Sequence, residues 1–215
     1  MQVGSAVTLI DSMGTDLSIV NAARVSFGAN DKPWNDIKDT KLIRYLAKHD
    51  HWSPFAHAIL KFHIKAPIFI ARQLAKHQVG FSWNEISRRY VSTEPEVWSP
   101  VGWREKGDNI KQGSSSNIIS FSKTLTDIYL AAATSSIMTY NNLLDAGVCP
   151  EQARAVLPQG MMTEWIWTGS LYGFYRVCNL RLETTAQEET KEIAKLISSC
   201  CLEKFPVCWN ALNEH

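Results

Sequence analysis

Alternating apolar and polar residues mark four predicted strands. The most regular alternation lies within 60–67, where Leu60, Phe62 and Ile64 share one face and two lysines and a histidine share the other, as in a half-buried strand. A short strand is predicted around 7–10, another after a loop within 80–100, and a strand-like run covers 162–168. Pro95 and Pro100 are expected to stop the third of these strands.

Helical periodicity accounts for much of the remaining chain. Asp16 is interpreted as the cap of a helix over 17–27. A helix over 34–50 is expected to place five apolar residues on one side, namely Ile37, Leu42, Ile43, Tyr45 and Leu46. Pro67 suits the first turn of a helix over 68–78. Further helices are predicted over 118–146, closed by Gly147, over 150–158, near 170–182 and over 185–204, while the polar segment 107–116 is expected to be a mobile loop.

The order of these elements predicts the fold class. No internal repeat and no linker long enough to divide the chain is present in the sequence. Strands interspersed with more numerous helices predict an α/β (α+β) layer structure. We therefore expect one domain over residues 1–215.

Composition and charge restrict the classes of function. Hydrophobic residues are 45% and charged residues 20% of the 215 residues, which argues against disorder. Lys and Arg number 22 against 21 Asp and Glu, for a net charge of +1, so the chain is not a general binder of polyanions. Any anion site must be a local cluster of cations. The eight Trp residues fit either an aromatic core or a site that stacks a flat ring.

The same composition bears on location. No Lys or Arg precedes the short apolar stretch near the first residue, and no run of about 18 apolar residues occurs, so we expect neither a signal peptide nor a membrane span. The five cysteines include no C-x-x-C pair and are expected to be reduced thiols. The corresponding expectation is a cytoplasmic location, the host cytoplasm if the chain is viral.

Polar side chains are concentrated first around the end of the 68–78 helix and the loop after it. A helix end followed by a Ser and two Arg offers forked cations and hydroxyls, which is the chemistry that holds a phosphate. The alternative is an exposed, charged helix end. The residues are Arg72, Gln73, Lys76, His77, Gln78, Asn84, Glu85, Ser87, Arg88, Arg89 and Tyr90.

Two further arginines are flanked by apolar residues. Arg154 lies among Ala and Val residues, and Arg181 lies between two leucines, so neither is expected to be fully solvated. Each therefore pairs with a carboxylate or faces an anionic ligand. For Arg181 the carboxylate would be Glu183 or Glu188.

A group of histidines leaves other classes of function open. His49, Asp50 and His57, with His51 and His63 nearby, permit a metal-dependent nucleotide phosphohydrolase, although no clean metal motif such as H-E-x-x-H occurs. A nucleic-acid binder that uses Trp and Arg is a third hypothesis, which the neutral charge disfavours. Cys149 precedes Pro150 at a helix start, but with no partner base it is expected to be a small buried thiol.

The order of these pieces resembles the flavin-dependent thymidylate synthases. The resemblance runs through DLSIVNAARVSF, HWSPFAHAILKFHIKAPIFIARQ, NEISRRY, ARAVLP, EWIWTGSLYGFYRVCNLR and AQEE, and carries little signal between about 92 and 145. The family signature is commonly Arg-His-Arg, seven residues and Ser. Here it reads Lys76-His77-Gln78, eight residues and Ser87. Lys keeps the charge and loses the fork, whereas Gln keeps hydrogen bonding and loses the charge.

The resemblance implies an activity and an assembly. It implies a methyltransferase that converts dUMP to dTMP by reductive methylation, with FAD as cofactor, NADPH as reductant and 5,10-methylenetetrahydrofolate as carbon donor. No enzymic cysteine acts as nucleophile in this family. The implied fold is a central, mostly antiparallel sheet flanked by long helices. The implied assembly is a homotetramer with shared active sites, with no nucleic-acid or membrane partner and no metal.

The resemblance also implies roles for residues. Arg181 would be the catalytic residue at the uracil ring. The dUMP-binding set would be Arg72, Gln73, Lys76, Glu85, Ser87, Arg88, Arg89, Arg154 and Arg181. The FAD-binding set would be Ser26, His51, Ser53, Lys76, His77, Gln78, Glu85, Ser170, Leu171, Tyr172, Arg176 and Leu180. His51 and Trp52 would lie near flavin and folate, where a Trp stacks on a ring or belongs to the core.

Overall fold

A computed structural model describes residues 4–29, 32–91, 93–107 and 113–214. Four strands form one antiparallel sheet in the order β1-β2-β4-β3. They are β1 (Ala6–Met13), β2 (Ile59–Pro67), β3 (Phe81–Glu85) and β4 (Met162–Ser170). In β2 and β4 burial alternates residue by residue, because successive side chains of a strand point to opposite faces. The expected α/β (α+β) class is confirmed.

Eight helices complete the described chain. They are α1 (Asp16–Arg24), α2 (Asp36–Lys48), α3 (Ile68–Leu74), α4 (Ser122–Asp145), α5 (Pro150–Ala153), α6 (Leu171–Arg181), α7 (Glu188–Lys204) and α8 (Pro206–Asn213). Short 3-10 turns cover Val25–Phe27, Ser53–His57 and Arg154–Val156. The expected helices over 118–146, near 170–182 and over 185–204 correspond to α4, α6 and α7.

Contacts divide the chain into two compact units. The first contains the described residues within Met1–Ala6, Ile64–Lys76 and Asn84–Trp165. Its aromatic side chains form a chain of edge contacts, from Phe69 to Trp98, Trp103 and Tyr129. The prediction of a single domain over 1–215 stays a prediction.

The second unit contains Val7–His63, His77–Trp83 and Ile166–His215, of which residues 30, 31 and 215 lie outside the described ranges. Within it α2 packs on α8, and α6 packs on α7. Its core includes Trp167, which lies 5.0 Å from Phe81 and 5.2 Å from Phe174 between ring centroids. Of the two readings of the many Trp residues, Trp167 therefore belongs to an aromatic core.

The structure corrects the interpretation of Asp16. The cap of α1 is Thr15, whose hydroxyl accepts the backbone N–H of Ser18 while the Ser18 hydroxyl accepts that of Thr15. The Asp16 carboxylate instead accepts the backbone N–H groups of Val207 at 3.1 Å and Cys208 at 2.9 Å. It therefore caps α8, a helix that the sequence reading did not predict.

Two other expectations change, and a third lies partly outside the described residues. In α2 Ile43 and Leu46 are buried, but Ile37 is 83% and Tyr45 53% exposed, so the predicted apolar side is partly wrong. The buried polar residue on that helix is Asp39, which ion-pairs with Arg24. Within 80–100 the strand precedes the loop instead of following it. Of the expected mobile loop 107–116, residues 108–112 lie outside the described residues.

Candidate functional site

The expected dUMP-binding residues, apart from Arg181, lie in the first unit. Arg72 and Gln73 are on α3, and Lys76 follows that helix within two residues. Glu85 ends β3, the loop after it carries Ser87, Arg88 and Arg89, and Arg154 begins the 3-10 turn after α5. β3 ends at Glu85, and the backbone N–H of Ile86 donates to the carbonyl oxygen of Glu164. This last hydrogen bond anchors the start of the loop to β4.

Arg89 and Arg154 meet at Glu151. Arg89 Nη1 lies 3.5 Å from Glu151 Oε1, and Arg154 Nε donates to the Glu151 carbonyl oxygen at 3.3 Å. The Ser87 hydroxyl accepts the backbone N–H of Arg89 at 3.3 Å and its Nε–H at 3.4 Å. Two guanidinium groups and a hydroxyl are thus gathered from segments 62 residues apart.

Arg154 is exposed, and the expectation that it is not fully solvated stays a prediction. Among the described residues it forms no ion pair with a carboxylate. Sequence reasoning missed Glu151, because its carboxylate pairs with the distant Arg89 and it contacts Arg154 only through its backbone carbonyl. The exposed Arg89–Glu151 pair contributes little to stability, so a ligand can compete for it.

Three other members of this set have protein partners. Arg72 Nη1 donates to Gln159 Oε1 at 3.5 Å. Arg88 donates to the carbonyl oxygen of Thr93. The Thr163 hydroxyl donates to Glu85 Oε1 at 2.7 Å. These partners were not predicted because nothing local in the sequence connects them.

The expected FAD-binding residues of the second unit occupy four of its segments. Ser26 lies in the first 3-10 turn, while His51 and Ser53 lie just after α2. His77 and Gln78 precede β3. The remaining members are Ser170, Leu171, Tyr172, Arg176 and Leu180, on α6 and its cap. Leu171 is fully buried, whereas Leu180 is 47% exposed, so the side chain of Leu171 belongs to the core.

The segment before Ser53 is held by Tyr172. The Tyr172 hydroxyl donates to Asp50 Oδ1 at 2.7 Å. Asp50 has a left-handed backbone with φ of +52°, a conformation that costs free energy outside glycine and is often found at functional sites. Burial, followed by the hydrogen bond to Asp50 and its charge, raises the pKa of Tyr172 to about 12. Trp52, 53% exposed, lies 6.1 Å from the Tyr172 ring.

Arg181, the last residue of α6, contacts His77. Arg181 Nε donates to His77 Nε2 at 3.1 Å. Burial lowers the pKa of the Arg181 guanidinium. Of the two alternatives left open for Arg181, the pairing with Glu183 or Glu188 is not found among the described residues, where Lys191 pairs with Glu188 at 2.5 Å. The hydrogen-bond partner that sequence reasoning missed is therefore a neutral ring.

The chemistry of this second set suits a flavin. An exposed Trp beside a Tyr offers a flat apolar surface for a ring system. Arg176 and Arg181 form no ion pair with a carboxylate among the described residues, and Ser26 and Ser53 are exposed hydroxyls. Unpaired guanidinium groups and hydroxyls are donors that fit phosphate oxygens. The residues present therefore fit a group that combines a flat ring with phosphates.

The three buried cysteines are not activated as nucleophiles. Burial raises the pKa of Cys178 to about 12 and raises those of Cys201 and Cys208 further, so these thiols stay protonated. Cys149 is exposed, which corrects the expectation that it is buried.

The histidine group does not assemble as a metal centre within the part of the chain that the structure describes, where no three His, Cys, Asp or Glu side chains are arranged to hold an ion. Asp50 is engaged by Tyr172, and His49 lies 4.5 Å from the Tyr45 ring. Across the described ranges, no helix combines the length and apolar character needed to cross a membrane.

Comparison with known proteins decides the family. The family described as "Thymidylate synthase complementing protein" matches residues 8–207. The chain belongs to the flavin-dependent thymidylate synthase family. Relatives of that name are 38% identical in Thermus thermophilus, covering 97% of this chain and 76% of the relative, and 38% identical in Thermotoga neapolitana, covering 95% and 89%.

A solved structure of the same fold is similar over nearly the whole chain. It is a UMP/dUMP methylase, PolB, from Streptomyces cacaoi bound with 5-Br dUMP, with a TM-score of 0.90 and 28% identity, covering 99% of this chain and 96% of that one. The family resemblance inferred from the sequence is thereby confirmed, and with it the expectations of a flavin cofactor and a methyltransferase.

Proposed function

We propose that this member of the flavin-dependent thymidylate synthase family converts dUMP to dTMP. In this proposal FAD is the bound flavin, NADPH the reductant and 5,10-methylenetetrahydrofolate the carbon donor. The observation that carries the proposal is the cluster of Ser87, Arg89 and Arg154 around Glu151. The whole chain has a net charge of only +1, but this cluster brings together the hydroxyl and guanidinium donors that bind a phosphate monoester.

The first unit would bind the nucleotide. Arg89 exchanges its weak, exposed pair with Glu151 for the dianionic phosphate, and the Arg154 guanidinium supplies its Nη donors while Nε stays on the Glu151 carbonyl. Ser87 donates its hydroxyl hydrogen. Gln73 and Arg72 on α3, with Lys76, Glu85 and Arg88, complete the proposed dUMP set.

Arg181 would act on the pyrimidine ring. Methylation at C5 needs negative charge to develop on the uracil ring, and a fixed guanidinium stabilises that charge electrostatically. Because Arg181 pairs with no described carboxylate, its full charge is available to the ring. No cysteine is required as nucleophile, which agrees with the buried, protonated thiols of Cys178, Cys201 and Cys208.

The flavin would be held by the second set with Lys76 and Glu85. Exposed Trp52 and Tyr172 offer ring surface, and Arg176, Ser26 and Ser53 offer donors. Bound FAD supplies the redox chemistry of the reaction. With Lys76 and Gln78 at the two positions flanking His77, this chain offers one forked donor fewer at each position than the usual family signature.

A homotetramer with shared active sites and a cytoplasmic location complete the proposal. Light scattering of the purified protein tests the assembly, and four copies per particle is the expected result. A monomer with full activity would contradict the sharing of active sites.

The assay of the proposed function is nucleotide analysis by liquid chromatography. The purified, FAD-loaded protein is incubated with dUMP, 5,10-methylenetetrahydrofolate and NADPH, and each component is omitted in turn. We expect dTMP only in the complete mixture. No dTMP from protein with fully loaded flavin would reject the proposal.

UMP is included as a second substrate in the same assay. The neighbouring Streptomyces cacaoi methylase is named for both UMP and dUMP and has also been solved with 5-Br UMP, at a TM-score of 0.87. We expect dUMP to be methylated faster than UMP. A faster reaction with UMP would assign the ribonucleotide as substrate instead.

A further inference from the structure

The contact between His77 and Arg181 joins two residues that are 104 positions apart. Arg181 ends α6, and His77 lies three residues beyond the end of α3. The donor is Arg181 Nε–H and the acceptor is His77 Nε2, at 3.1 Å. An imidazole that accepts at Nε2 carries its proton at Nδ1.

The core braces the histidine ring. The ring lies 6.5 Å from the Trp167 ring between centroids. Trp167 is fully buried and packs on Phe81, Trp83 and Phe174. His77 is half-buried, so one side of its ring lies against this close-packed core while Nε2 accepts from Arg181.

A neutral acceptor can orient the Arg181 guanidinium without neutralising its charge. A guanidinium has five N–H donors in a rigid fork. The contact with His77 uses Nε–H and leaves the Nη groups available. A carboxylate in the same place would also neutralise the charge, whereas the imidazole orients the guanidinium and leaves its charge intact.

We propose that His77 is a positioning residue for Arg181, holding the guanidinium by its Nε–H so that the Nη groups are presented, fully charged, to the pyrimidine ring. This inference rests on the proposed function, in which Arg181 stabilises charge on uracil. It gives the histidine of the Lys76-His77-Gln78 segment a task in addition to contact with flavin.

The electrostatic surroundings keep His77 in the required form. Burial, followed by the charges of Arg181 and Arg176 on α6, lowers the pKa of His77 from its ordinary value of 6.5. The ring is therefore neutral at neutral pH and accepts the hydrogen bond. As the pH falls through that lowered value, Nε2 gains a proton, the acceptor is lost, and two like charges face each other. Lys76 is the charged neighbour on the same segment.

Two variants separate the roles of the histidine. His77→Phe keeps an aromatic ring beside Trp167 and removes the acceptor. His77→Gln keeps a neutral acceptor oxygen at similar reach and removes the titration. With saturating FAD, we expect His77→Phe to lower kcat for dTMP formation about 10- to 100-fold, as for loss of a hydrogen bond to a charged group. The kcat of His77→Gln should be at least about tenfold higher than that of His77→Phe.

The pH profile supplies a readout that a structural role would not move. The parent enzyme should lose kcat on an acid limb below pH 6.5, and His77→Gln should lack this limb. An unchanged acid limb in His77→Gln, or equal activity of the two variants, would overturn the proposal. So would a parental kcat of His77→Phe at saturating FAD, since any defect would then lie in flavin binding.

A measurement without turnover tests the contact itself. In protein labelled with nitrogen-15 arginine, the Arg181 Nε–H resonance is assigned by its loss in Arg181→Lys. We expect slow solvent exchange of this proton in the parent and in His77→Gln, and fast exchange in His77→Phe. Slow exchange in His77→Phe would refute the contact. Failure of the parent to form dTMP would refute the proposed function and leave this result intact.

Discussion

Glu151→Gln is expected to tighten the binding of dUMP. In the protein without nucleotide, Glu151 holds Arg89 at 3.5 Å and places a negative charge where the proposal puts a phosphate. The substitution keeps the size of the side chain and removes that charge. The contact of Arg154 with the Glu151 backbone carbonyl is untouched by the change.

The magnitude follows from the exposure of the pair. The side chains of Arg89 and Glu151 are 44% and 63% exposed, and exposed pairs contribute about 0–1 kcal/mol. Since about 1.4 kcal/mol changes a binding constant tenfold, dUMP should bind up to about fivefold more tightly. The gain should shrink as salt screens the charges.

Calorimetric titration with dUMP, at low and high salt, measures this effect. Glu96→Gln is the matched control, because it removes the same charge from an ion pair with Lys65 in the same unit and should leave the affinity within about twofold. Weaker binding in Glu151→Gln would show that the carboxylate positions Arg89 for the phosphate, and an affinity equal to the parent would remove Glu151 from the site.

Three other predictions follow from particular contacts. Arg181→Ala should lower kcat about 10²- to 10³-fold while the flavin absorption spectrum persists; Arg44→Ala, which breaks an exposed pair with Glu214, is the control, and retained turnover in Arg181→Ala would contradict the ring-activating role. Cys149→Ser should keep its turnover, and a loss of activity in a folded, flavin-loaded variant would reopen a thiol mechanism. Asp16→Ala removes two hydrogen bonds at the start of α8 and should lower the free energy of unfolding by about 2–3 kcal/mol in urea; the exposed Asp11→Ala should lower it by less than about 0.5 kcal/mol, and equal effects of the two would refute the capping role.

Local patterns predicted most of the elements. The alternation of β2 and the long run of α4 are properties of neighbouring residues, so the sequence reveals them directly. Asp16 shows where this reasoning fails. Its position suggested a cap for the helix that follows it directly, but its actual hydrogen-bond partners lie 191 and 192 residues away. The helix that it caps begins at Pro206, a helix-start signal that was available and was not used.

The candidate site divides in the same way. The residue types at Ser87, Arg89, Arg154 and Arg181 indicated anion chemistry because forked guanidinium donors and hydroxyls suit phosphate oxygens. Their partners Glu151 and His77 depend on how distant segments come together, which no local pattern encodes. That Arg181 contacts the His77 ring, and not Glu183 or Glu188 as one alternative had it, is a result of tertiary packing.

The central claim is that this chain places a carbon from folate on dUMP. Incubation of the FAD-loaded protein with dUMP, NADPH and 5,10-methylenetetrahydrofolate labelled with carbon-13 at the methylene position tests it directly by mass spectrometry of the nucleotide. The account predicts dTMP that carries one labelled carbon. A nucleotide pool that remains unlabelled dUMP while the flavin stays bound would contradict it.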